Sequence, residues 1–259
     1  DGTDVTPGAA FDQALADKVG RVVTLLVNNR PEKEGARTVR LKPVSRARWS
    51  ELVYERWLDG KRALADTLSG GRIGYLHVAN MLDDARNRFE RELFSIGQRR
   101  EAMILDFRGN EGGDTHDSLL RILERNRHYF TFVPRRETPF PQPERAFVKP
   151  LIILVDEHTL SDGEVFANGF RELGLGKIVG VPTMGWIIFT ASRPLVDGSV
   201  IRLPHLGCYT LDGRDMENWG VPPDVHVPYT PADYAAGKDP QLERAVRELL
   251  KDPRLKRKP

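Results

Sequence analysis

The chain has almost no cysteine and no long apolar run. One cysteine, Cys208, among 259 residues excludes an internal disulfide and most thiolate metal sites. No apolar run approaches the roughly 18 residues that a spanning helix needs, and no signal-peptide pattern opens the chain. Charge of one sign is scarce too: 39 Lys and Arg stand against 37 Asp and Glu, a formal net charge of +2. The basic residues are interleaved with acids, which argues against nucleic acid as the main partner. The basic end, Arg254-Leu-Lys-Arg-Lys-Pro, reads as a solvated tail. With 40% apolar and 29% charged residues, the composition is that of a soluble globular protein of one large or two modest domains.

Ser161 is the most informative residue present. It lies in Leu151-Ile-Ile-Leu-Val-Asp-Glu-His-Thr-Leu-Ser-Asp-Gly-Glu-Val-Phe-Ala, where a β-branched run breaks into a short turn and then a helical pattern. Such a turn aims backbone N–H groups outward at the positive end of the helix dipole. A serine there can attack a carbonyl while the next amide, that of Asp162, holds the oxyanion. The plainer reading is a helix N-cap, since Ser161 and Glu164 have capping-box spacing.

The rest of the pattern alternates strands and helices from Gly70 onward. Strands are expected at 73–78, 102–107, 151–155 and 177–180, and helices at 82–99, 118–124, 164–173 and 239–251, an α/β order with right-handed crossovers. The Pro- and Arg-rich stretch 127–149 reads as a functional loop. Residues 1–45 hold a helix and two strands joined by a turn around Pro31-Glu-Lys-Glu-Gly, too little for a core alone. With the turn Asp1-Gly-Thr-Asp-Val before them, their order resembles the second half of a PDZ domain. Residues 46–69 read as a charged connector, and 70–259 as the main module. The abrupt start at Asp1 suggests a piece of something longer.

A second strand-to-helix turn is Asp106-Phe-Arg-Gly-Asn-Glu-Gly-Gly-Asp, whose adjacent glycines let the backbone approach a ligand. Four stretches taken together are specific: Gly74-Tyr-Leu-His-Val, Asp106-Phe-Arg-Gly-Asn-Glu-Gly-Gly, Asp156-Glu-His-Thr-Leu-Ser-Asp-Gly-Glu and Glu217-Asn-Trp-Gly-Val-Pro-Pro-Asp-Val. In order and spacing they resemble the serine peptidase module shared by tricorn core proteases and tail-specific (carboxyl-terminal processing) proteases. The resemblance implies a crotonase-like α/β module preceded by a partial PDZ-like segment. It also implies Ser161 as nucleophile, Gly113 and Asp162 as oxyanion-hole amides, and Gly112 beside them on the substrate.

The resemblance also separates the two branches. Tail-specific proteases place a lysine about 25 residues after the serine, where this chain has Trp186, which cannot accept a proton. Tricorn-type enzymes use a histidine oriented through a glutamate in a Glu-Asn-Tyr-Gly-Val motif, matched here by Glu217-Asn-Trp-Gly-Val. In that family the histidine lies before the PDZ domain, so the resemblance implies a general base on an upstream segment of the same polypeptide. Among the histidines present, His77 reads as a sheet residue and His158 as a turn residue; His116, His128, His205 and His226 show no partner pattern. Glu217 is expected in the Ser161 cleft. An acidic residue of the tricorn pattern that favours basic side chains aligns with Phe132, so Phe132 implies an apolar substrate preference.

The expected activity is therefore serine-type cleavage of oligopeptides or unfolded polypeptides, with no metal or cofactor. The resemblance makes a homo-oligomer and a cytoplasmic location the expectation, with a periplasmic one left open. Two alternatives remain: a non-catalytic peptide- or ligand-binding module on the same fold, and acyl-CoA chemistry of the crotonase kind.

Overall fold

Five short β-branched and aliphatic runs pair into one all-parallel sheet, and the turns that carry Ser161 and the adjacent glycines follow two of its strands. The computed structural model describes residues 2, 4–5, 11–135 and 138–256. They fall into two compact units, residues 1–59 and 60–259.

The first unit holds α1 (Phe11–Ala14), β1 (Val23–Val27) and β2 (Arg37–Leu41). The two strands pair antiparallel, with Val23 opposite Leu41 and Val27 opposite Arg37. Their turn is tied by the Asn28 side-chain amide, which donates to the carbonyls of Glu32 and Glu34 at 2.8 and 2.9 Å. Of the turn expected at residues 1–5, Asp1 and Thr3 lie outside the described residues. The stretch read as a connector is one 24-residue helix, α2 (Arg46–Ser69). Its charged residues, such as Arg48 bonded to Glu51 and Glu55, obscure a helical period that straight-chain residues sustain well.

In the second unit the chain order is β3 (Ile73–His77), α3 (Asp83–Gly97), β4 (Ala102–Asp106), α4 (His116–Glu124), β5 (Phe130–Phe132), β6 (Phe140–Gln142), β7 (Leu151–Val155), α5 (Asp162–Glu172), β8 (Gly176–Gly180), β9 (Phe189–Pro194), β10 (Val200–Leu206), β11 (Val225–His226), α6 (Pro231–Ala235), α7 (Pro240–Leu250) and α8 (Pro253–Lys256). The sheet order is β11-β8-β7-β4-β3, every pairing parallel. Every residue of β3, β4 and β7 is buried, as expected of strands covered on both faces. A sheet whose strands follow chain order with right-handed crossovers puts α3, α4 and α5 on one face. Helix α7 packs on β4, β7 and β8 and covers the other. The core between sheet and helices includes Phe89, Leu93, Leu105, Ile153 and Phe170, with Phe107 stacked on Phe166 at 4.2 Å between ring centroids.

Two hairpins interrupt this order. The stretch expected as an aperiodic loop contains β5 and β6, paired with Phe132 opposite Phe140. Strands β9 and β10 pair antiparallel after the Ser161 helix. All of β10 is exposed, so the pair lacks the one-sided alternation by which a strand is recognised.

A buried ion cluster joins the start of the glycine-rich turn to α7. Arg108 donates to Asp106 at 2.5 Å and to Asp239 at 2.9 Å, and Lys61 reaches Asp239 at 2.5 Å. Tyr75 donates its hydroxyl to Asp106 at 2.6 Å. Burial alone would raise Asp106, but the Arg108 guanidinium outweighs it and holds the carboxyl below its ordinary range. Two cations and two carboxylates thus neutralise one another where a single charge would be costly. The first residues of the glycine-rich motif are structural for this reason.

Candidate active site

The two strand-to-helix turns are laced to each other. Leu160 N–H donates to Asn110 O at 3.0 Å, Gly109 N–H to Asp156 Oδ1 at 2.9 Å, and Thr159 Oγ1 to Phe107 O at 2.8 Å. Asn110 is fully buried; its amide donates to Val78 O at 2.7 Å and accepts from Gly112 N–H at 2.9 Å. Parallel pairing of β4 and β7 brings the turns after them side by side, which is why residues about fifty positions apart meet.

Ser161 stands at the start of α5 with φ 54° and ψ −122°. A non-glycine residue at positive φ costs on the order of 1–3 kcal/mol and persists only where its surroundings impose it. Its Oγ faces the Glu164 N–H as one half of a capping box. The reciprocal half of the box is formed: Ser161 N–H donates to Glu164 Oε1 at 3.1 Å.

Gly112 lies against the serine. At φ +76°, a β-carbon built on it would sit 2.7 Å from Ser161 Cβ and 3.2 Å from Asp162 N. At Gly113, φ +151°, a β-carbon would collide with the Met81 carbonyl. Met81 N–H donates to Gly112 O at 2.7 Å, and Asp114 N–H to Met81 O at 3.0 Å. These bonds skip the amide between them, so the Gly113 N–H, like that of Asp162, has no protein acceptor among the described residues.

The serine opens onto a cavity of about 570 Å³ whose wall includes Gly112, Gly113, Ser161, Trp186, Ile188 and Arg202. The wall carries two charged side chains, Glu111 and Arg202; Arg202 donates to Thr190 Oγ1 at 2.6 and 3.0 Å. Phe132 is not part of this wall. It packs with Phe130 and Phe140 on the β5–β6 hairpin. Glu217 is not in the wall either, against its expected place in the cleft. Its Oε2 is buried without a hydrogen-bond partner among the described residues.

A fully buried carboxylate, Glu164, connects the serine turn to the loop carrying Glu217. Besides Ser161 N–H it accepts from Thr183 Oγ1 at 2.5 Å, Gly185 N–H at 2.7 Å and Trp186 N–H at 2.8 Å. Thr183 Oγ1 in turn accepts from Val221 N–H at 2.7 Å. Asn218 N–H donates to Gly185 O at 2.7 Å. Burial pushes the Glu164 carboxyl up, with its four donors working in the opposite direction. The sequence marks Glu164 only as a capping-box acid; its remaining partners lie 19 to 22 residues away.

His116, which has no partner in the spacing of the sequence, is paired with Asp162. Its ring Nδ1 bonds to Asp162 Oδ1 and its backbone N–H donates to Asp162 Oδ2 at 3.0 Å. That hydrogen bond raises the His116 pKa against partial burial, with the Asp162, Asp117 and Asp114 charges adding to it. His77 Nε2 meets the Arg108 carbonyl at 3.0 Å, consistent with a sheet-end role. His158 donates its backbone N–H to Asp156 Oδ1 at 3.1 Å.

A strained serine at a helix start beside a glycine-rich turn is common to several hydrolase architectures, and the family is decided by comparison. A model described as peptidase family S41 matches residues 72–227, a span containing Ser161 and Glu217. The chain belongs to peptidase family S41. Among S41 relatives it groups with the tricorn core proteases. It is 32% identical over 254 residues to the tricorn protease of Thermoplasma acidophilum, covering 97% of this chain and 23% of that one. It is 38% identical over 198 residues to tricorn protease homolog 1 of Streptomyces coelicolor, covering 75% and 18%. A crystal structure of the tricorn protease matches with TM-score 0.80 at 30% identity, over 97% of this chain and 24% of that one. The S41 chain thus spans less than a quarter of the length of these relatives.

Among the described residues no group of three or more His, Cys, Asp or Glu side chains is placed to hold a metal ion. No helix among them is long and apolar enough to cross a membrane.

Proposed function

We propose that this chain supplies the nucleophile, the oxyanion site and the substrate cleft of a serine peptidase acting on oligopeptides or unfolded polypeptides. The observation that carries the reading is Ser161 itself. It is a serine at φ 54° that lines a cavity, against a glycine backbone that leaves no room for a side chain.

In the acylation step Ser161 Oγ attacks the scissile carbonyl carbon, and the carbonyl π pair moves onto its oxygen. The N–H groups of Gly113 and Asp162, which lack protein acceptors among the described residues, hold that oxyanion. The hydroxyl proton passes to a general base and from it to the departing amine as the C–N bond breaks. Water then repeats the sequence on the acyl-serine. By resemblance the base is a histidine on a segment outside residues 1–259, and Glu217 orients its hydrogen-bond network. The unpartnered, buried Glu217 Oε2 supports that role, because a buried carboxylate oxygen without a donor is costly until one arrives. Trp186 in the cavity wall is consistent with the histidine branch, since it occupies the position of the lysine base.

The same reading takes residues 1–45 as the end of a PDZ-like domain and 70–259 as a crotonase-like catalytic module of a homo-oligomeric, cytoplasmic enzyme. The helix–strand–strand order of the first unit and the parallel sheet of the second support the two domain assignments.

A fluorophosphonate applied to the complete protein tests the assignment. We expect one adduct, on Ser161, and loss of both adduct and peptide hydrolysis in Ser161→Ala. Hydrolysis near wild type in that variant sinks the nucleophile. Peptide binding without labelling identifies a binding module instead. Residues 1–259 alone should show no measurable hydrolysis, because removing the base costs several orders of magnitude.

A further inference from the structure

We propose that His116 is a positioning residue for the oxyanion site, holding the Asp162 carboxylate at two points so that the Asp162 N–H faces the cleft. The proposal rests on the serine-peptidase reading above. Asp162 is the first residue of α5 and is fully buried. Both of its carboxylate oxygens bond to one residue, Oδ1 to the His116 ring and Oδ2 to the His116 backbone. Two bonds from one rigid partner fix both side-chain torsions of Asp162, and through its Cα they restrict rotation of the peptide that carries its N–H. The N–H itself donates to no protein group among the described residues. It is therefore positioned without being consumed.

The ring also answers a problem of charge. A carboxylate accepts only, so the Nδ1 that meets it carries a proton. In the acyl-transfer step, negative charge develops at the amide of the very residue whose side chain is already an anion. An unpaired carboxylate there opposes the oxyanion, most strongly in a site shielded from water. An imidazolium paired with it removes most of that opposition. The raised pKa of His116, set first by its bond to Asp162, favours that state. His116 belongs to α4 (residues 116–124) and lies outside the cavity wall, so it acts through Asp162 and touches no substrate.

The test is made on the complete protein, reading kcat and KM for a peptide substrate and the rate of fluorophosphonate labelling of Ser161. His116→Ala should lower kcat and the labelling rate by about tenfold while leaving KM within twofold, since the lost effect belongs to the transition state. His116→Asn, whose side-chain N–H occupies nearly the place of Nδ1–H, should recover kcat to within about threefold of wild type. An unchanged kcat in His116→Ala, or a loss confined to KM, overturns the proposal. If the alanine variant does not fold, the asparagine variant decides alone: a fall of more than tenfold in its kcat overturns the proposal. Failure of the underlying reading is distinguishable, because wild type would then take no fluorophosphonate on Ser161 or Ser161→Ala would retain hydrolysis, whatever the His116 variants do.

Discussion

The backbone of Gly112 and the side chain of Ser161 share a space that admits only one β-carbon; a second, built on Gly112, would sit 2.7 Å from Ser161 Cβ. The glycine at φ +76° therefore sets where the serine stands. We expect Gly112→Ala to destabilise the protein by about 1–2 kcal/mol from its left-handed backbone alone. The displaced serine should lower kcat on the order of 100-fold, because small misplacements of reacting groups are costly. Thermal unfolding and peptide hydrolysis measured on the same preparation check both. A fully active alanine variant would show that the contact does not position Ser161.

The positive φ of Ser161 makes two substitutions diverge. Ser161→Gly relieves the backbone and should gain about 1 kcal/mol, the strain of a non-glycine residue less the entropy that glycine loses on folding. Ser161→Ala keeps the strain and should stay near wild type. Both should be inactive. Denaturant midpoints of the three proteins check the order, and a glycine variant less stable than the alanine one contradicts it.

Glu164 accepts from four donors in a buried setting. In Glu164→Gln the amide NH2, whichever way it is turned, faces at least one backbone N–H that can only donate, and we expect a loss of about 2–3 kcal/mol. The loop around Trp186 should loosen with it, so proteolytic cleavage between residues 183 and 190 should accelerate. A variant equal to wild type in both measurements would remove Glu164 from its connecting role.

On α7, Glu248 is held down to a pKa of about 2, first by Lys177 and then by Arg244, with Lys251 adding to them. A carboxyl depressed in the folded state adds stability above its ordinary value of 4.5 and loses it as pH falls toward 2. The stability gap between wild type and Glu248→Gln should therefore be constant at neutral pH and close below about pH 4. Acid titrations of the two proteins, followed by circular dichroism, would show the curves converging. A gap that persists unchanged to pH 2 would mean that Glu248 contributes by packing alone.

Much was legible in the sequence because it is local. The aliphatic runs 73–77, 102–106 and 151–155 are buried on both faces and so read as near-continuous apolar stretches, and the helices after them carry a clear period. Ser161, Gly112 and Gly113 stand out because a turn chemistry forces them at strand ends. The relations that decide the site span longer separations. His116 meets Asp162 across 46 residues, and Thr183 meets Glu164 across 19. Arg108 meets Asp239 across 131. No spacing rule encodes such pairs, since they exist only once β4 and β7 lie side by side and α7 closes over the sheet. The sequence thus determined which residues could do chemistry and which strands would form the layer. Tertiary packing decided which buried charge found which partner, because an isolated buried charge is tolerated only where the fold brings its counterpart within hydrogen-bond distance.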